Sequence, residues 1–385
     1  MQPHVQRWDL FCSVIDNYGD AGVCWRLARQ LAGEHRLTVR IFIDALPALS
    51  RIEHRVDPTR DEQIVDGVSV CRWAGPQAAL PPIDAGDVVI EAFGCGMPRA
   101  YLETMAARKP QPVWVNLEYL SAESWIEGCH GLPSRHPTLP LTRHFFFPGF
   151  TAASGGLLRE RDLFARRDAF HADAPAQAAL WKALRVPRPK ADVHLVSLFC
   201  YANAPLLHLL HAWSESADPT LCLVPEGVAE SALEAWTGGA VLSAGQQHSR
   251  GRLTVARIPF LDQDSYDRLL WSCGLNFVRG EDSFVRAQWA ARPLVWQPYL
   301  QAENAHRLKL DAFLGRYAAS LARDATAALR AFSSAWSDEG DLRVPWARLS
   351  TALPLLSRHS QAWSASLASM PDLATNLVKF CASGV

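Results

Sequence analysis

The sequence predicts an α/β protein built of two doubly wound, Rossmann-like halves. Three observations predict it. Apolar runs of strand length alternate with helical patterns. The alternation stops at a proline-punctuated stretch around Pro187 and Pro189 and then restarts. The length, 385 residues, suits two domains rather than one. Strands that are apolar on both faces belong to a mainly parallel sheet covered by helices on both sides.

In the first half, Trp8 to Ile15 reads as a buried strand. A polar turn follows, Asp16-Asn17-Tyr18-Gly19-Asp20-Ala21-Gly22. Val23, Leu27 and Leu31 then recur every four residues, the apolar face of a helix ending near Gly33. Leu37–Ile43 is the second strand, closed by Asp44, and later strands are expected at Asp87–Phe93 and Pro112–Asn116. From about His144 to Pro189 the chain changes character: FFFPGF, then Gly155-Gly156 in a loop, then an Arg- and Ala-rich stretch.

The second half repeats the pattern. Strands are expected at Val193–Phe199, Leu221–Val224, Leu253–Ile258, Leu275–Val278 and Leu294–Trp296. Helices are expected at Pro205–Trp213, Gln263–Trp271 and about Phe284–Ala291, and the tail after Glu303 reads as helical. The expected domains are 1–185 and 186–385, with a final helix from about 360 packing back on the first. Two such domains facing each other form a cleft at the carboxyl ends of both sheets, where ligands bind.

Composition narrows the function classes. Lys+Arg number 38 against 39 Asp+Glu, a net charge of -1, with 49% hydrophobic and 20% charged residues. That is a globular balance, and it lacks the basic excess of a nucleic-acid binder. The opening segment MQPHVQRWDLFCSVIDNYGD does not read as a signal peptide. No run approaches the roughly 20 apolar residues of a membrane span, so neither nucleic acid nor membrane is an expected partner. Nine cysteines without a C-x-x-C pair predict free thiols in a reducing cytoplasm. The 14 tryptophans read as core and interface packing. His208 and His211 lack a carboxylate or Cys partner, and no metal is expected. Gly94-Cys95-Gly96 offers a thiol with no base beside it.

Three strand-end loops carry the candidate chemistry. The Asp16–Gly22 loop is neither G-x-G-x-x-G nor a Walker loop. Two carboxylates four residues apart would repel a phosphate, and they suit acid/base or cation-orienting work. They equally suit turn formation and helix capping. In Arg279-Gly280-Glu281-Asp282-Ser283, helix-start amides and an arginine can hold a pyrophosphate. Glu281 is acceptor-only when ionised, which suits sugar hydroxyls; a plainly capped helix reads the same way. Phe199-Cys200-Tyr201-Ala202-Asn203 puts aromatics at a strand end, where they stack on a base or fill the core. Phe260 and Gln263 supply an aromatic face and an amide edge.

Taken together, these loops resemble one family. Phe11-Cys12-x-Val14-Ile15-Asp16-Asn17-Tyr18-Gly19-Asp20-x-Gly22-Val23-x-Trp25-Arg26-Leu27-Ala28-Arg29 is similar to the start of the bacterial protein-arginine rhamnosyltransferases that mature elongation factor P. So are Ile258-Pro259-Phe260-x-x-Gln263-x-x-Tyr266-Asp267-x-Leu269-Leu270-Trp271 and the run from Asn276 to Gln288, and Trp296-Gln297-Pro298-Tyr299 also fits. Segments 50–75 and 150–190 carry little of the signal. The resemblance implies a GT-B glycosyltransferase, dTDP-β-L-rhamnose as donor, an arginine of elongation factor P as acceptor, and inversion at the anomeric carbon. It also implies that the modified factor is activated for rescue of polyproline-stalled ribosomes, and it implies no cofactor.

The physics is compatible. A guanidinium is a poor nucleophile with a pKa above about 12, and a carboxylate can both pair with it and accept its proton. On this reading Asp20 is the general base and Asp16 positions the arginine or supports Asp20. Asn17, Tyr18 and Gly19 border the rhamnose. Arg279, Asp282 and Ser283 face the diphosphate with Tyr299 nearby, Gly280 belongs to the same donor site, and Glu281 takes the deoxyribose. Phe199, Tyr201, Phe260 and Gln263 form the thymidine side. Glu118 and Tyr119 are acceptor-binding candidates. A nucleotide-sugar epimerase, a small-molecule glycosyltransferase and a non-catalytic nucleotide-binding module are the rival readings.

Overall fold

The computed structural model describes residues 6–78, 83–337 and 340–383. Residues 1–5 of the opening segment read above lie outside them. The chain divides into two compact units, one running to Arg161 and resuming at Ala368, the other spanning Asp162–Leu367.

The division falls at 161/162 rather than at 185/186, because the Ala-rich stretch packs with the second unit. It forms two helices, Leu163–Ala172 and Ala174–Ala183. Phe170 meets Trp271 at 5.8 Å between ring centres, and Arg167 donates to the Trp289 carbonyl at 3.0 Å. The helix Leu373–Ala382 belongs to the first unit. Gln30 donates to Asp372 at 3.0 Å, and the Leu373 amide donates to the Leu157 carbonyl at 2.9 Å. Gly156 makes this approach possible. Its φ is +80°, and a Cβ there would lie 2.7 Å from the Pro371 carbonyl oxygen.

The first unit holds one sheet: β1 (Arg7–Cys12), β2 (Thr38–Ile43), β3 (Glu62–Val65), β4 (Val68–Arg72), β5 (Val88–Ala92), β6 (Val113–Leu117), β7 (Pro133–Arg135) and β8 (Thr142–Phe146). Their order is β3-β4-β2-β1-β5-β6-β8-β7. The central strands pair in parallel, with Leu10 opposite both Ile41 and Ile90. Those three side chains are fully buried, as expected for strands covered on both faces. The edge pairs β3–β4 and β7–β8 are antiparallel.

The strand expected to reach Ile15 stops at Cys12. Residues 13 to 16 leave the ladder because two carboxylates take their polar groups, as described below. The first helix runs Gly19–His35, two residues past Gly33, and ends at Arg36 in the left-handed region. Val23, Leu27 and Leu31 are buried as the four-residue spacing requires. Arg26 is buried as well and pairs with Glu160 at 3.5 Å.

The second unit's sheet contains β9 (His194–Leu198), β10 (Thr220–Pro225), β11 (Gln247–Arg250), β12 (Leu253–Ile258), β13 (Leu275–Arg279) and β14 (Leu294–Gln297). The order is β11-β12-β10-β9-β13-β14, parallel except for β11. In both sheets the strand order reverses beside the first strand, at β1/β5 and at β9/β13. Such switch points splay the following loops apart and create a binding crevice at the carboxyl edge. Trp8, Trp25, Trp73, Trp213, Trp289 and Trp336 are buried in the cores, as packing residues should be.

Candidate functional site

In the first unit the loop after β1 is shaped by two carboxylates. Asp20, at the start of the first helix, is 2% exposed. Its Oδ2 accepts the backbone N–H groups of Ile15 at 2.7 Å and Asp16 at 2.9 Å. Asp44, directly after β2, accepts the Ser13 hydroxyl on Oδ2 and the Val14 amide on Oδ1 at 2.9 Å. Asn17 takes φ +41°, which asparagine tolerates better than most residues. The Gly19 amide closes the turn on the Asp16 carbonyl at 2.6 Å. A Cβ on Gly19 would come within 2.9 Å of the Asp16 carboxylate, so glycine leaves that side chain room. Tyr18 is the helix N-cap and makes no side-chain cap, and its carbonyl accepts the Gly22 amide at 2.8 Å.

Burial pushes the Asp20 carboxyl above the usual carboxylate range, and the Asp44 charge adds to the rise. The amides of Asp16 and Ile15 and a hydrogen bond from Tyr119 act in the opposite direction without cancelling it. The chemical result is a desolvated carboxylate that holds a proton more readily than an exposed one. Asp16 is half-buried and Asn17 exposed, so the loop offers one fixed buried acid and one more accessible acid.

Tyr119 and Glu118 follow β6, and the structure brings Tyr119 to Asp20. The Tyr119 ring stacks on Phe93 with centres 4.2 Å apart, and Phe93, after β5, has φ +58°. Asn116 bridges the two strand ends: its amide nitrogen donates to Glu118, and its oxygen accepts the Gly94 amide at 3.1 Å. Glu91 accepts the Gly96 amide at 2.9 Å and Arg143 at 3.2 Å. Burial raises the Cys95 thiol far above its ordinary range, which makes it a poor nucleophile.

The second unit collects its candidates at the carboxyl ends of β9, β12, β13 and β14. The Arg279 guanidinium carbon sits 4.4 Å from the Phe199 ring centre and 4.6 Å from that of Tyr201. Arg279 also donates to the Cys200 carbonyl at 3.2 Å. The two rings expected to face a base therefore hold a cation. Phe260 approaches Phe199 at 6.3 Å in an edge contact, and Tyr299, 43% exposed, meets Tyr201 at 5.7 Å. Gln297 secures the Tyr201 amide at 2.8 Å.

Gln263 is buried, and its amide nitrogen donates to Asp282 at 3.1 Å. Two residues placed by sequence on different parts of a nucleotide thus bond to each other. Ser283 donates to the Arg279 carbonyl at 2.6 Å and accepts the Arg279 amide at 3.2 Å. The Gly280 amide donates to the Gln297 carbonyl at 3.2 Å, and its own carbonyl accepts from Trp296 at 2.8 Å. Glu281 is the N-cap of the helix Asp282–Ala290 and makes no side-chain cap. A side-chain cap is absent at this helix start: Ser283 is turned back on Arg279 and Asp282 engages Gln263.

Sequence reasoning missed a brace beneath this surface. Arg286 and Asp267, each 1% exposed, form a two-point ion pair at 3.0 and 2.6 Å. It ties the helix Gln263–Ser272 to the helix Asp282–Ala290, the two helices whose first turns carry the candidates. The only signal in the sequence was charge at buried helical positions. Asp44 was likewise missed, since one Asp after a strand reads as a turn residue. Among the described residues, no group of three or more His, Cys, Asp and Glu side chains converges as a metal site would.

A family model for EarP, the elongation factor P (EF-P) rhamnosyltransferase, matches residues 8–382. The protein-arginine rhamnosyltransferase of Pseudomonas putida is 49% identical over 373 residues, covering 97% of this chain and 98% of that protein. The solved structure describing EarP-mediated arginine glycosylation of translation elongation factor EF-P matches with a TM-score of 0.71 at 36% identity, covering 99% of this chain and all of that one. UDP-GlcNAc 2-epimerase of Neisseria meningitidis, bound to UDP-GlcNAc, matches with a TM-score of 0.52 at 10% identity, covering 98% of this chain and all of that one, and shares the fold alone. The two doubly wound units and these likenesses make the fold class α/β of the GT-B type. The chain belongs to the EarP family of elongation factor P rhamnosyltransferases.

Proposed function

We propose that this family member transfers L-rhamnose from dTDP-β-L-rhamnose to one arginine side chain of elongation factor P, giving an α-linked product by inversion. The product is EF-P activated for rescue of polyproline-stalled ribosomes. The observation that carries the reading is the Asp20 carboxylate: buried at the carboxyl end of the central strand, bonded by two backbone amides, and raised in pKa by that burial.

A guanidinium nitrogen attacks C1 of rhamnose, the C1–O bond to the diphosphate breaks, and the nitrogen's proton passes to Asp20. A raised pKa suits a proton acceptor, because catalytic efficiency improves as the base approaches the working pH. Asp16, the more accessible acid, pairs with the guanidinium and holds it in line, with Glu118 and Tyr119 as further acceptor contacts. Asn17, Tyr18 and Gly19 border the sugar. A single displacement needs no enzyme nucleophile.

The second unit takes the nucleotide. Arg279 and the first amides of the helix Asp282–Ala290, at Asp282 and Ser283, neutralise the leaving diphosphate. Gly280 and Tyr299 lie beside it. Glu281 accepts from the deoxyribose hydroxyl, and Phe199, Tyr201, Phe260 and Gln263 form the thymidine side. Nucleotide entry on this scheme displaces Arg279 from one of its two rings. No metal or cofactor takes part. No helix among the described residues is long and apolar enough to cross a membrane. A translation factor as acceptor places the reaction in the cytoplasm.

Incubation with dTDP-β-L-rhamnose and EF-P tests the reading by intact mass. A gain of one deoxyhexose on EF-P, lost in Asp20→Ala while donor binding persists, is the expected result. No gain with the unmutated enzyme rejects the substrates, and loss of donor binding with Asp20→Ala reassigns Asp20 to the donor site.

A further inference from the structure

We infer that Asp44 is a positioning residue for the catalytic loop: its carboxylate holds Ser13 and Val14 so that the next two amides, of Ile15 and Asp16, meet Asp20. The inference rests on the reading of Asp20 as general base and adds a second acid to that site.

Four consecutive residues leave β1 with their polar groups shared between two carboxylates. Ser13 and Val14 go to Asp44, and Ile15 and Asp16 go to Asp20. The Gly19 amide closes the far end of the segment on the Asp16 carbonyl, and the Ser13 backbone also bonds Cys95. Ile15 is 64% exposed, and Ser13, Val14 and Asp16 are only partly buried. With Ile15 turned to solvent, the bonds to the two carboxylates are the strong, charge-assisted contacts that shape the loop. Asp44 directly follows β2 and Asp20 belongs to the helix after β1, so the loop is pinned from two separate elements.

Asp44 also acts on Asp20 through space. The titratable groups facing Asp20 are Asp44 beyond β2, Tyr119 beyond β6 and Cys24 on its own helix, together with the Ile15 and Asp16 amides. Asp44 is the negative one among them that sits on a neighbouring strand end, and its charge opposes ionisation of Asp20. The sign follows. Removing that charge lets Asp20 ionise at lower pH, so the acid limb of the rate profile moves down. A loop defect alone would lower the rate and leave the limb in place.

Rhamnosyl transfer to EF-P by the full chain, followed against pH, tests this. Asp44→Asn removes the charge: its carbonyl oxygen can still accept the Val14 amide, but its NH2 can only donate to the Ser13 hydroxyl, so both contacts lose their charge assistance and one reverses direction. We expect kcat to fall about 10-fold or more, the acid limb to shift to lower pH, and nucleotide affinity to stay unchanged. Ser13→Ala removes one bond and keeps the charge, and should lower kcat by about 5-fold with the limb unmoved. An unmoved limb in Asp44→Asn overturns the electrostatic role, and full activity in Ser13→Ala overturns the bracing role. If Asp44→Asn does not fold, Asp44→Glu, which keeps the charge on a longer arm, replaces it: a lower kcat with an unmoved limb is expected, and an unaltered kcat overturns the proposal. Asp20→Asn keeps the two readings apart. If it remains active, the general-base reading fails; if it is inactive while Asp44→Asn behaves as wild type, only the role of Asp44 fails.

Discussion

The two strand-switch loops solve opposite electrostatic problems. In the first unit the loop after β1 meets two carboxylates, buried Asp20 and half-buried Asp44, with backbone and hydroxyl donors. In the second unit the loop after β13 presents a positive charge, Arg279, held between two aromatic rings. Burial keeps Asp20 readier for a proton than an exposed acid, although the amides it accepts pull the other way. A guanidinium held by ring faces keeps donors for an anion, because the rings consume none, and of those on Arg279 one goes to the Cys200 carbonyl. On the proposed function, the same doubly wound scaffold serves a proton acceptor at one switch point and an anion receptor at the other.

The sharpest way to break the comparison is through the support beneath the second site. The Asp267–Arg286 pair is buried on both sides and joins the two helices that open onto it. Asp267→Ala takes the carboxylate away from a buried guanidinium, a change that typically costs about 3–5 kcal/mol. Chemical denaturation should register a loss of that size, with nucleotide affinity falling as the helix starts separate. Asp267→Ala combined with Arg286→Met removes the buried charge as well and should recover most of the stability. If the single variant is as stable as the parent, the brace is not structural.

The next effect belongs to Arg279 itself. Arg279→Ala should weaken dTDP binding by about 10- to 100-fold, the equivalent of one or two charge-assisted bonds, while thymidine without phosphates binds as before. Calorimetric titration of both ligands checks this. Equal weakening for both would place Arg279 against the base, with the rings, rather than against the diphosphate.

How much of this was legible in the sequence follows from burial. Central strands such as β1, β9 and β13 were readable because both faces are apolar. The hairpins β3–β4 and β7–β8 were not, since short edge strands with exposed positions such as Ile64 carry neither a clean alternation nor an apolar run. The unit boundary was displaced because Pro187 and Pro189 punctuate the chain, while the helices before them bury Phe170 and Trp181 against their own unit. The strand-end residues Asp16, Asp20, Arg279 and Ser283 stood out by their position after strands. The groups that hold them did not. Asp44 is 24 residues from Asp20, and Asp267 is 19 from Arg286; such pairings are set by sheet order and helix packing.

The smallest expected effect is one of sign, and it separates the two sites most cleanly. Asp20 has a raised pKa, with burial as the main cause. A folded-state pKa above the unfolded value means that the stabilising contribution is complete when the acid is protonated. That contribution is present below the ordinary carboxylate pKa and is lost as pH rises through the raised one. Ionised Asp20 therefore weighs against the fold at neutral pH. Asp20→Asn mimics the protonated form, and its carbonyl oxygen can take both backbone amides, since these reach a single oxygen in the parent. The variant should lose transfer by about 100-fold or more. Its melting temperature should nevertheless equal or slightly exceed the parent's at pH 7, and the two should converge at low pH, where the parent's acid is also neutral. Melting curves across that pH range are decisive. A variant clearly less stable than the parent at pH 7 would mean that the amides, rather than desolvation, dominate at Asp20, and that this carboxylate is an ordinary loop brace with no special readiness to accept a proton.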